Sequence, residues 1–263
     1  MKTNYKNWMP KGLVYSMCAG AGVLWILFLF LGAGNMFNNA TAQKWLFGVL
    51  LVLSVLVTLV AVWMIFMYRS FSYNGKRQMS RQIIEGIADY VKLPKGGTIL
   101  DIGCGSGALT IAVARRNPGA AVTGLDRWGR EYASFSQELC EANARAEQVS
   151  NTTFMQGDAC QLDFSDQSFD AVVSNYVYHN ISGRNRQTLL LETLRVLKKG
   201  GIFAIHDIFS PGKYGDMAAF VEQLKRDGYT QVELIDTTNG KFMDRWESLW
   251  MALSGSALLV GRK

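Results

Sequence analysis

Three glycines at alternate positions, Gly103, Gly105 and Gly107, follow Asp101 at the end of a short apolar run. Because glycine has no Cβ atom, such a turn lets a ligand approach the backbone closely. A helix that begins directly after the turn would also point its unpaired N–H groups at that ligand. The pattern therefore predicts a ligand cradle, with a plain tight turn as the alternative. The spacing lacks the last glycine of the dinucleotide fingerprint and the lysine of a phosphate loop.

Two further acidic residues end later apolar runs. Asp126 lies nineteen positions after Gly107, and Asp158 ends the third run. A carboxylate in the position of Asp126 can accept hydrogen bonds from both hydroxyls of a ribose. Its combination with the glycine turn favours a nucleoside-containing ligand over a plain turn.

These residues need a sheet that brings the ends of their strands together. From residue 76 onward, apolar runs alternate with segments of helical apolar spacing, which predicts a mostly parallel sheet covered by helices on both faces. In such sheets ligands bind at the carboxyl ends of the strands. Strands are predicted over 99–102, 120–126, 152–159, 169–175, 202–207, 231–236 and 257–261, helices over 76–92, 108–116, 130–148, 184–197 and 214–226, and a turn over 198–201.

Two uncharged apolar segments, about 13–34 and 45–68, precede this sheet. Each is long enough to cross a hydrocarbon core as a helix. The short polar link predicts an antiparallel hairpin, and basic residues at its outer ends place both termini in the cytoplasm by the positive-inside rule. We therefore expect a hairpin in an integral membrane segment, residues 1–71, and a cytoplasmic domain, residues 72–263. A signal peptide before a single anchor and a buried soluble hairpin are the alternatives.

Charge and cysteine content disfavour several classes of protein. Five of the 27 basic residues and none of the 21 acidic residues lie before Ser72, so the net charge of +6 belongs mostly to the hairpin segment. The remainder is nearly neutral, which disfavours a nucleic-acid-binding surface. The four cysteines and two histidines show no metal-ligand spacing, so neither a metal site nor a disulfide framework is expected.

The order of the motifs resembles that of the class I S-adenosylmethionine-dependent methyltransferases, most closely the small-molecule branch typified by quinone-biosynthesis enzymes. The resemblance implies a Rossmann-like α/β fold with a seven-stranded sheet whose last strand is antiparallel. It also implies S-adenosylmethionine as the cofactor. The matching motifs are Leu100–Gly107, Gly124–Asp126, Gln156–Ala159, Phe169–Asn175 and Arg195–Gly201.

The resemblance further implies a role for each motif. Asp101 and the glycine loop would hold the methionine portion of the cofactor, and Asn175 would lie beside it. Asp126 would bind the ribose hydroxyls. Asp158 and the backbone of Ala159 would read the edge of the adenine.

Trp128, two residues after Asp126, is placed to pack on the adenine or, alternatively, to cover the rim of the sheet. The candidates for cofactor binding are therefore Asp101, Gly103, Cys104, Gly105, Gly107, Asp126, Arg127, Trp128, Asp158, Ala159 and Asn175.

Methyl transfer from a sulfonium is an in-line displacement, and a base is needed only when the acceptor must lose a proton. The two histidines, His179 and His206, lie at the carboxyl ends of the fourth and fifth predicted strands. We expect at least one of them to handle a proton or to bind the acceptor. The alternative is that both are hydrogen-bonded loop residues. Tyr176, Tyr178 and Asp207 are further candidates.

These observations predict a membrane-anchored methyltransferase with a small-molecule acceptor, which the hairpin suggests is lipophilic. A membrane scaffold or sensor that binds S-adenosylmethionine without transferring a methyl group is the alternative. The glycine spacing and Asp158 disfavour a nicotinamide-dependent oxidoreductase. The residues Asn175-Tyr176-Val177-Tyr178 replace Asn-Pro-Pro-Tyr, which disfavours methylation of DNA adenine or of a glutamine amide.

Overall fold

The computed structural model describes residues 2–34, 38–94, 96–129 and 134–263. The chain forms two compact units. The smaller unit is Asn7–Gln78, and the larger is Met79–Lys263 together with the N-terminal residues up to Lys6.

The smaller unit is a pair of antiparallel helices. Its elements are α1 (Lys11–Leu27), a π-helical turn (Phe28–Gly32) and α2 (Ala40–Phe71). The indole Nε1 of Trp25 donates a hydrogen bond to Thr58 Oγ1 at 2.9 Å, and Gln43 Nε2 donates to the carbonyl of Gly32 at 2.7 Å. Helix α1 together with the π-helical turn covers Lys11–Gly32, close to the predicted span 13–34, and α2 extends beyond the predicted span 45–68 at both ends. Residues 35–37 of the predicted link lie outside the described residues.

The larger unit contains one seven-stranded sheet in the order β3-β2-β1-β4-β5-β7-β6. The first five strands in the chain run parallel, and β7 is antiparallel to both β5 and β6. This confirms the α/β fold and the antiparallel last strand. The strands are β1 (Gly97–Ile102), β2 (Ala120–Asp126), β3 (Thr152–Gln156), β4 (Phe169–Asn175), β5 (Leu197–Ile208), β6 (Thr230–Asp236) and β7 (Ser256–Arg262).

The strand order reverses where β1 lies between β2 and β4, and ligands bind at such a switch point in open parallel sheets. The central strands are buried on both faces because helices cover them. Leu100, Val172 and Phe203, from β1, β4 and β5, are completely buried in one core. The core thus fixes the strand ends that carry the candidate site.

The helices differ from the predicted ones mainly at their ends. They are α3 (Met79–Ala88), α4 (Ala108–Arg116), α5 (Gln137–Ala146), α6 (Arg186–Arg195), the single turn α7 (Pro211–Tyr214), α8 (Met217–Arg226) and α9 (Arg245–Trp250), with a 3₁₀ turn over Tyr178–Asn180. Residues 130–133, at the start of the helix predicted over 130–148, lie outside the described residues. Helix α9 has no counterpart in the prediction.

The turn predicted over 198–201 is wrong. These residues lie within β5, where Phe169 of β4 pairs with Leu197 and Ala171 with Ile202, so the extra residues form a bulge. Gly200 has φ of +78°, and the carbonyl of Gly201 accepts a hydrogen bond at 3.0 Å from the N–H of Lys263, the residue after β7. The glycines therefore bend the strand instead of ending it.

The N-terminal arm, residues 2–6, packs on the larger unit. Tyr5 is 4% exposed, and its hydroxyl donates a hydrogen bond to Glu147 Oε1 at 2.9 Å. Its carbonyl accepts from Ser106 Oγ in the glycine loop at 2.8 Å. Asn143 on α5 accepts from the N–H of Asn4 at 2.7 Å and donates to its carbonyl at 3.1 Å. The arm therefore joins the glycine loop to α5.

Candidate functional site

The glycine loop leaves the carboxyl end of β1 in a conformation that needs glycine. Gly103, Gly105 and Gly107 have φ of +73°, +57° and +80°, which L side chains rarely adopt. The N–H of Gly103 donates to the carbonyl of Leu125 at 2.7 Å, so the loop starts alongside β2. A Cβ atom on Gly103 would lie 2.2 Å from Val177 Cγ2. Neither the backbone nor the space at this position accommodates a side chain.

Replacement of Gly103 by alanine is therefore expected to lower the midpoint of thermal unfolding. The left-handed backbone costs about 1–2 kcal/mol for an L residue, and the clash with Val177 adds to that cost. Gly183→Ala is the matched control, since Gly183 has φ of +72° and a Cβ atom added there would meet no atom within 4 Å. An equal fall of the unfolding midpoint in both variants would contradict the predicted clash with Val177. Adding Val177→Ala to Gly103→Ala should restore part of the lost stability, because it removes the clashing methyl groups.

Asp126, at the end of β2, lies against this loop. One carboxylate oxygen accepts from the N–H of Gly105 at 2.8 Å, and the other accepts from the N–H of Trp128 at 2.8 Å. The indole Nε1 of Trp128 donates in turn to the carbonyl of Gly105 at 3.0 Å. The structure thus brings together Asp126, which is the candidate for ribose binding, Trp128 and the glycine loop. Each carboxylate oxygen keeps a further lone pair for a ligand hydroxyl.

Asp101 lies beneath the loop and is 1% exposed. Thr110 Oγ1 donates to Asp101 Oδ2 at 2.6 Å, whereas Oδ1 has no hydrogen-bond partner among the described residues. Burial raises the pKa of this carboxyl to about 7, the bond from Thr110 opposes the rise, and the charge of Asp126 adds to it. A buried acceptor without a partner is costly, and a ligand that donates a hydrogen bond there would remove the cost.

The adenine candidates lie at the same edge, beyond β3. Asp158 is exposed, and its Oδ1 accepts from the N–H of Cys160 at 2.8 Å. Ala159 packs partly buried against the core. Arg127 is exposed, and its carbonyl accepts from Gln156 Nε2 at 3.2 Å.

Cys104, in the glycine loop, is buried, and its N–H donates to the carbonyl of Leu125 at 3.1 Å. Its contribution at this position is a backbone bond that holds the loop beside β2. Burial, followed by contact with Cys140, raises the pKa of its thiol, so the thiol stays protonated.

His206 is completely buried and faces Asn175 across the ends of β4 and β5. Its Nδ1 lies 2.9 Å from Asn175 Oδ1, and its Nε2 lies 3.0 Å from Thr237 Oγ1. Burial lowers the pKa of His206 to about 3, so the ring is neutral at ordinary pH. With both ring nitrogens engaged inside the protein, His206 positions Asn175.

His179 lies in the 3₁₀ turn after β4, and its Nδ1 is 2.5 Å from Asp207 Oδ1. Asp207 is completely buried, and its other oxygen accepts from the N–H of Tyr178 at 2.9 Å. Burial would raise the pKa of Asp207, but the hydrogen bond and charge of His179 hold it below its ordinary value. An ionised Asp207 accepts a hydrogen bond from the Nδ1–H of His179. In the neutral ring, Nε2 is then the nitrogen that can accept a proton.

The side chain of His179 is 14% exposed, whereas that of Asp207 is completely buried. This arrangement of a carboxylate behind an imidazole is that of a general base with its orienting group. We call His179 and Asp207 the histidine dyad.

Two tyrosines surround the dyad. The ring of Tyr176 lies 4.7 Å from that of His206 and 5.9 Å from that of His179, and its hydroxyl is 2.8 Å from Ser256 Oγ. Tyr178 is completely buried, with its hydroxyl 2.6 Å from Thr193 Oγ1. Burial raises the pKa of both phenols, so both stay protonated.

An open groove of about 540 Å³ is lined in part by Ser256. Sequence reasoning missed this groove because its walls come from four separate segments, including the unpredicted helix α9. Its lining residues include Phe209, Leu234, Arg245, Leu249, Ser256 and Ala257.

Comparison with known proteins agrees with this geometry. A family model described as a methyltransferase domain, Methyltransf_11, matches residues 100–205. An uncharacterized methyltransferase of Synechocystis sp., sll0829, is 28% identical over 67% of this chain and 76% of its own length. The demethylmenaquinone methyltransferase of Tropheryma whipplei is 36% identical over 45% of this chain and 45% of its own length. The chain spans about half the length of the quinone methyltransferases that it matches.

Among solved structures, the crystal structure of the [4+2]-cyclase SpnF has a TM-score of 0.54 and 21% sequence identity, covering 73% of this chain and 85% of that chain. At this identity the likeness concerns the fold alone. Residues 100–205 therefore match a methyltransferase domain, and the motif order and the sheet topology support a class I S-adenosylmethionine-dependent methyltransferase with S-adenosylmethionine as its cofactor.

Proposed function

We propose that the protein is a membrane-anchored methyltransferase that transfers the methyl group of S-adenosylmethionine to a small lipophilic acceptor. The observation that carries the proposal is that a candidate cofactor site and a candidate proton acceptor lie at the same edge of the sheet. The glycine loop with Asp101 and Asp126 lies at the ends of β1 and β2, and the histidine dyad lies at the ends of β4 and β5.

The residues present fit the proposed cofactor. The unpartnered Oδ1 of buried Asp101 is an acceptor suited to an ammonium group, and Asp126 offers carboxylate oxygens to ribose hydroxyls. Asp158 and the backbone of Ala159 would face the adenine, and Trp128 would pack beside it. When bound, the cofactor supplies a sulfonium methyl group that is activated for displacement.

The dyad would supply the proton acceptor. Nε2 of His179 would take the proton that the acceptor's nucleophilic atom loses when it is methylated by the bound S-adenosylmethionine. Asp207 then stabilises the imidazolium through Nδ1. His206 stays neutral and holds Asn175 beside this position.

Membrane anchoring rests on the two apolar helices, which are long enough to cross a bilayer by length and composition. In their apolar windows only 11% and 17% of residues are buried, whereas the core helix of a soluble protein is mostly buried. The chain enters the hairpin from the N-terminal arm and leaves it into α3, and both belong to the larger unit. This connectivity favours two spans whose ends share one side, which the flanking basic residues place in the cytoplasm.

We accordingly divide the chain into an anchor, residues 1–71, and a methyltransferase domain, residues 72–263, with residues 2–6 packed on the latter. A lipophilic acceptor is supported by the anchor itself and by the relative whose name gives demethylmenaquinone as its substrate. No role for nucleic acid is proposed.

The decisive experiment incubates membranes that contain the full chain with methyl-labelled S-adenosylmethionine. We expect label in the organic extract, and mass analysis of the labelled species would identify the acceptor. Membranes with the His179→Ala variant are the control for background labelling. Binding of the cofactor without label in any extractable or soluble product would contradict the proposal and favour a cofactor-binding scaffold or sensor.

A pH effect should accompany cofactor binding. Because the pKa of Asp101 is raised in the folded, ligand-free protein, its contribution to stability is present below its ordinary value of 3.8 and is lost as the pH rises through about 7. Relative to wild type, Asp101→Asn is therefore expected to gain thermal stability as the pH rises over this window. The gain should disappear with saturating cofactor, since an ammonium beside Oδ1 favours the ionised carboxyl. Parallel pH profiles for both proteins would contradict this.

A further inference from the structure

Helix α9 presents an apolar face to solvent. Trp246 is 73% exposed, Leu249 63% and Trp250 61%. Residues three and four positions apart lie on the same side of a helix, so the three side chains form one patch. Elsewhere among the described residues 79–263, the exposed large hydrophobic side chains are Met155 and Leu191, at 36% and 39%.

The patch is held in place by the fold. Asp244 caps α9 by accepting from the N–H of Glu247 at 2.8 Å, and the Glu247 side chain accepts from the N–H of Asp244. On the opposite side of the helix Ser248 is 4% exposed, and its carbonyl accepts from the N–H of Leu253 at 2.8 Å. A fixed, contiguous apolar face of this kind marks an interaction surface.

We infer that this face of α9 inserts into the interfacial layer of the lipid bilayer, and that the groove behind it takes the apolar part of a membrane-borne acceptor. The inference rests on the proposed function, because the anchor is what keeps the larger unit beside a bilayer. Tryptophan favours the boundary between headgroups and hydrocarbon, where its ring is apolar and its N–H is solvated.

Charge argues that insertion, and not headgroup attraction, drives the contact. The basic Lys241 and Arg245 near the patch are matched by the acidic Asp244 and Glu247. A balanced cluster gains little from anionic lipid. The contact should therefore form on zwitterionic as well as on anionic membranes.

The groove extends from this surface to Ser256, which contacts a neighbour of the dyad. Leu249 and Arg245 of α9 form part of its wall, and Ser256 lies at its other side. Ser256 Oγ is 2.8 Å from the hydroxyl of Tyr176, whose ring is 5.9 Å from that of His179. An acceptor whose tail enters beside α9 would thus carry its reactive end toward the dyad.

The test places an environment-sensitive fluorophore on the full chain in phosphatidylcholine vesicles, at Leu249→Cys or, as the matched control, at Leu191→Cys on α6. Cys18 and Cys160, which are partly exposed, are replaced by serine in both proteins. We expect the label at position 249 to emit at shorter wavelength and to be quenched by lipids with a shallow nitroxide, with little change when phosphatidylglycerol is added. The label at position 191 should do neither.

Emission at position 249 equal to that at position 191 would overturn the inference. Blue-shifted emission that lipid nitroxides do not quench, together with a crosslinked dimer, would overturn it in favour of a second copy of the chain as occupant. This readout does not depend on methyl transfer, so it separates failure of the inference from failure of the proposed function.

A functional readout completes the test. Trp246→Ser combined with Leu249→Ser is expected to reduce labelling of the organic extract severalfold while leaving the affinity for S-adenosylmethionine unchanged. Leu191→Ser should change neither quantity. Unchanged labelling in the double variant would overturn the role of this face in acceptor delivery.

Discussion

Replacing Asp126 with alanine is expected to weaken binding of S-adenosylmethionine by about a hundredfold or more. Hydrogen bonds to a charged acceptor contribute about 1.5–3 kcal/mol each, and two ribose hydroxyls would lose theirs. The variant also releases the N–H groups of Gly105 and Trp128, which both bind this carboxylate at 2.8 Å. Titration calorimetry on the full chain in detergent measures the effect.

Two control variants distinguish ligand contact from loss of structure. Asp227→Ala removes an exposed acid after α8 and should bind the cofactor normally. Asp126→Asn keeps one accepting oxygen and the shape of the side chain, so its affinity should lie between wild type and Asp126→Ala. An unchanged affinity in folded Asp126→Ala would show that the end of β2 does not hold the ribose.

Replacing His179 with alanine is expected to slow methyl transfer by about 10²–10⁴-fold, the usual contribution of a general base. Cofactor affinity should stay within a few-fold of wild type, because the dyad lies at β4 and β5 and not at the glycine loop. The rate of label incorporation into the organic extract at saturating cofactor measures the first quantity, and calorimetry measures the second.

Chemical rescue distinguishes a role of His179 in proton transfer from a role in packing. Added imidazole should restore part of the rate in His179→Ala, whereas His179→Gln, which keeps a hydrogen-bonding side chain without a basic nitrogen, should stay slow. Asp207→Asn should slow the reaction as well. Its thermal midpoint must be measured alongside, because Asp207 also binds the N–H groups of Tyr178 and Ile208. A rate in His179→Ala close to that of wild type would assign the base elsewhere.

Local patterns were sufficient to predict the sheet. Buried parallel strands are continuous apolar runs, and the glycines after Asp101 require a turn whatever surrounds them, so β1, β2 and β4 fall within a few residues of their predicted bounds. Helix α9 was missed because six residues contain too few turns to show a period. The bulge in β5 was missed because Lys-Lys-Gly-Gly also suits a turn, and only pairing with β7 distinguishes the two.

The sequence could not separate the two histidines. His179 and His206 both follow apolar runs, but one side chain is accessible and bound to Asp207, and the other is enclosed between Asn175 and Thr237. That difference depends on which way each strand end faces, and this is set by packing across the sheet. The arm was unpredictable for the same reason, since the hydrogen bond of Tyr5 to Glu147 spans 142 positions.

The N-terminal arm and the residues that it contacts are far apart in the sequence, so they are synthesised at different times. Chains emerge from the ribosome N-terminus first, so both apolar helices are synthesised before Ser106, Asn143 and Glu147 exist. If the two helices span the membrane as proposed, Tyr5 must remain on the side of the membrane where these residues fold. A hairpin that delivered its N-terminus to the opposite side would leave Asn143 and the serine of the glycine loop without their arm contacts. On the proposed topology, the arm would thereby couple correct insertion of the two helices to completion of the larger unit.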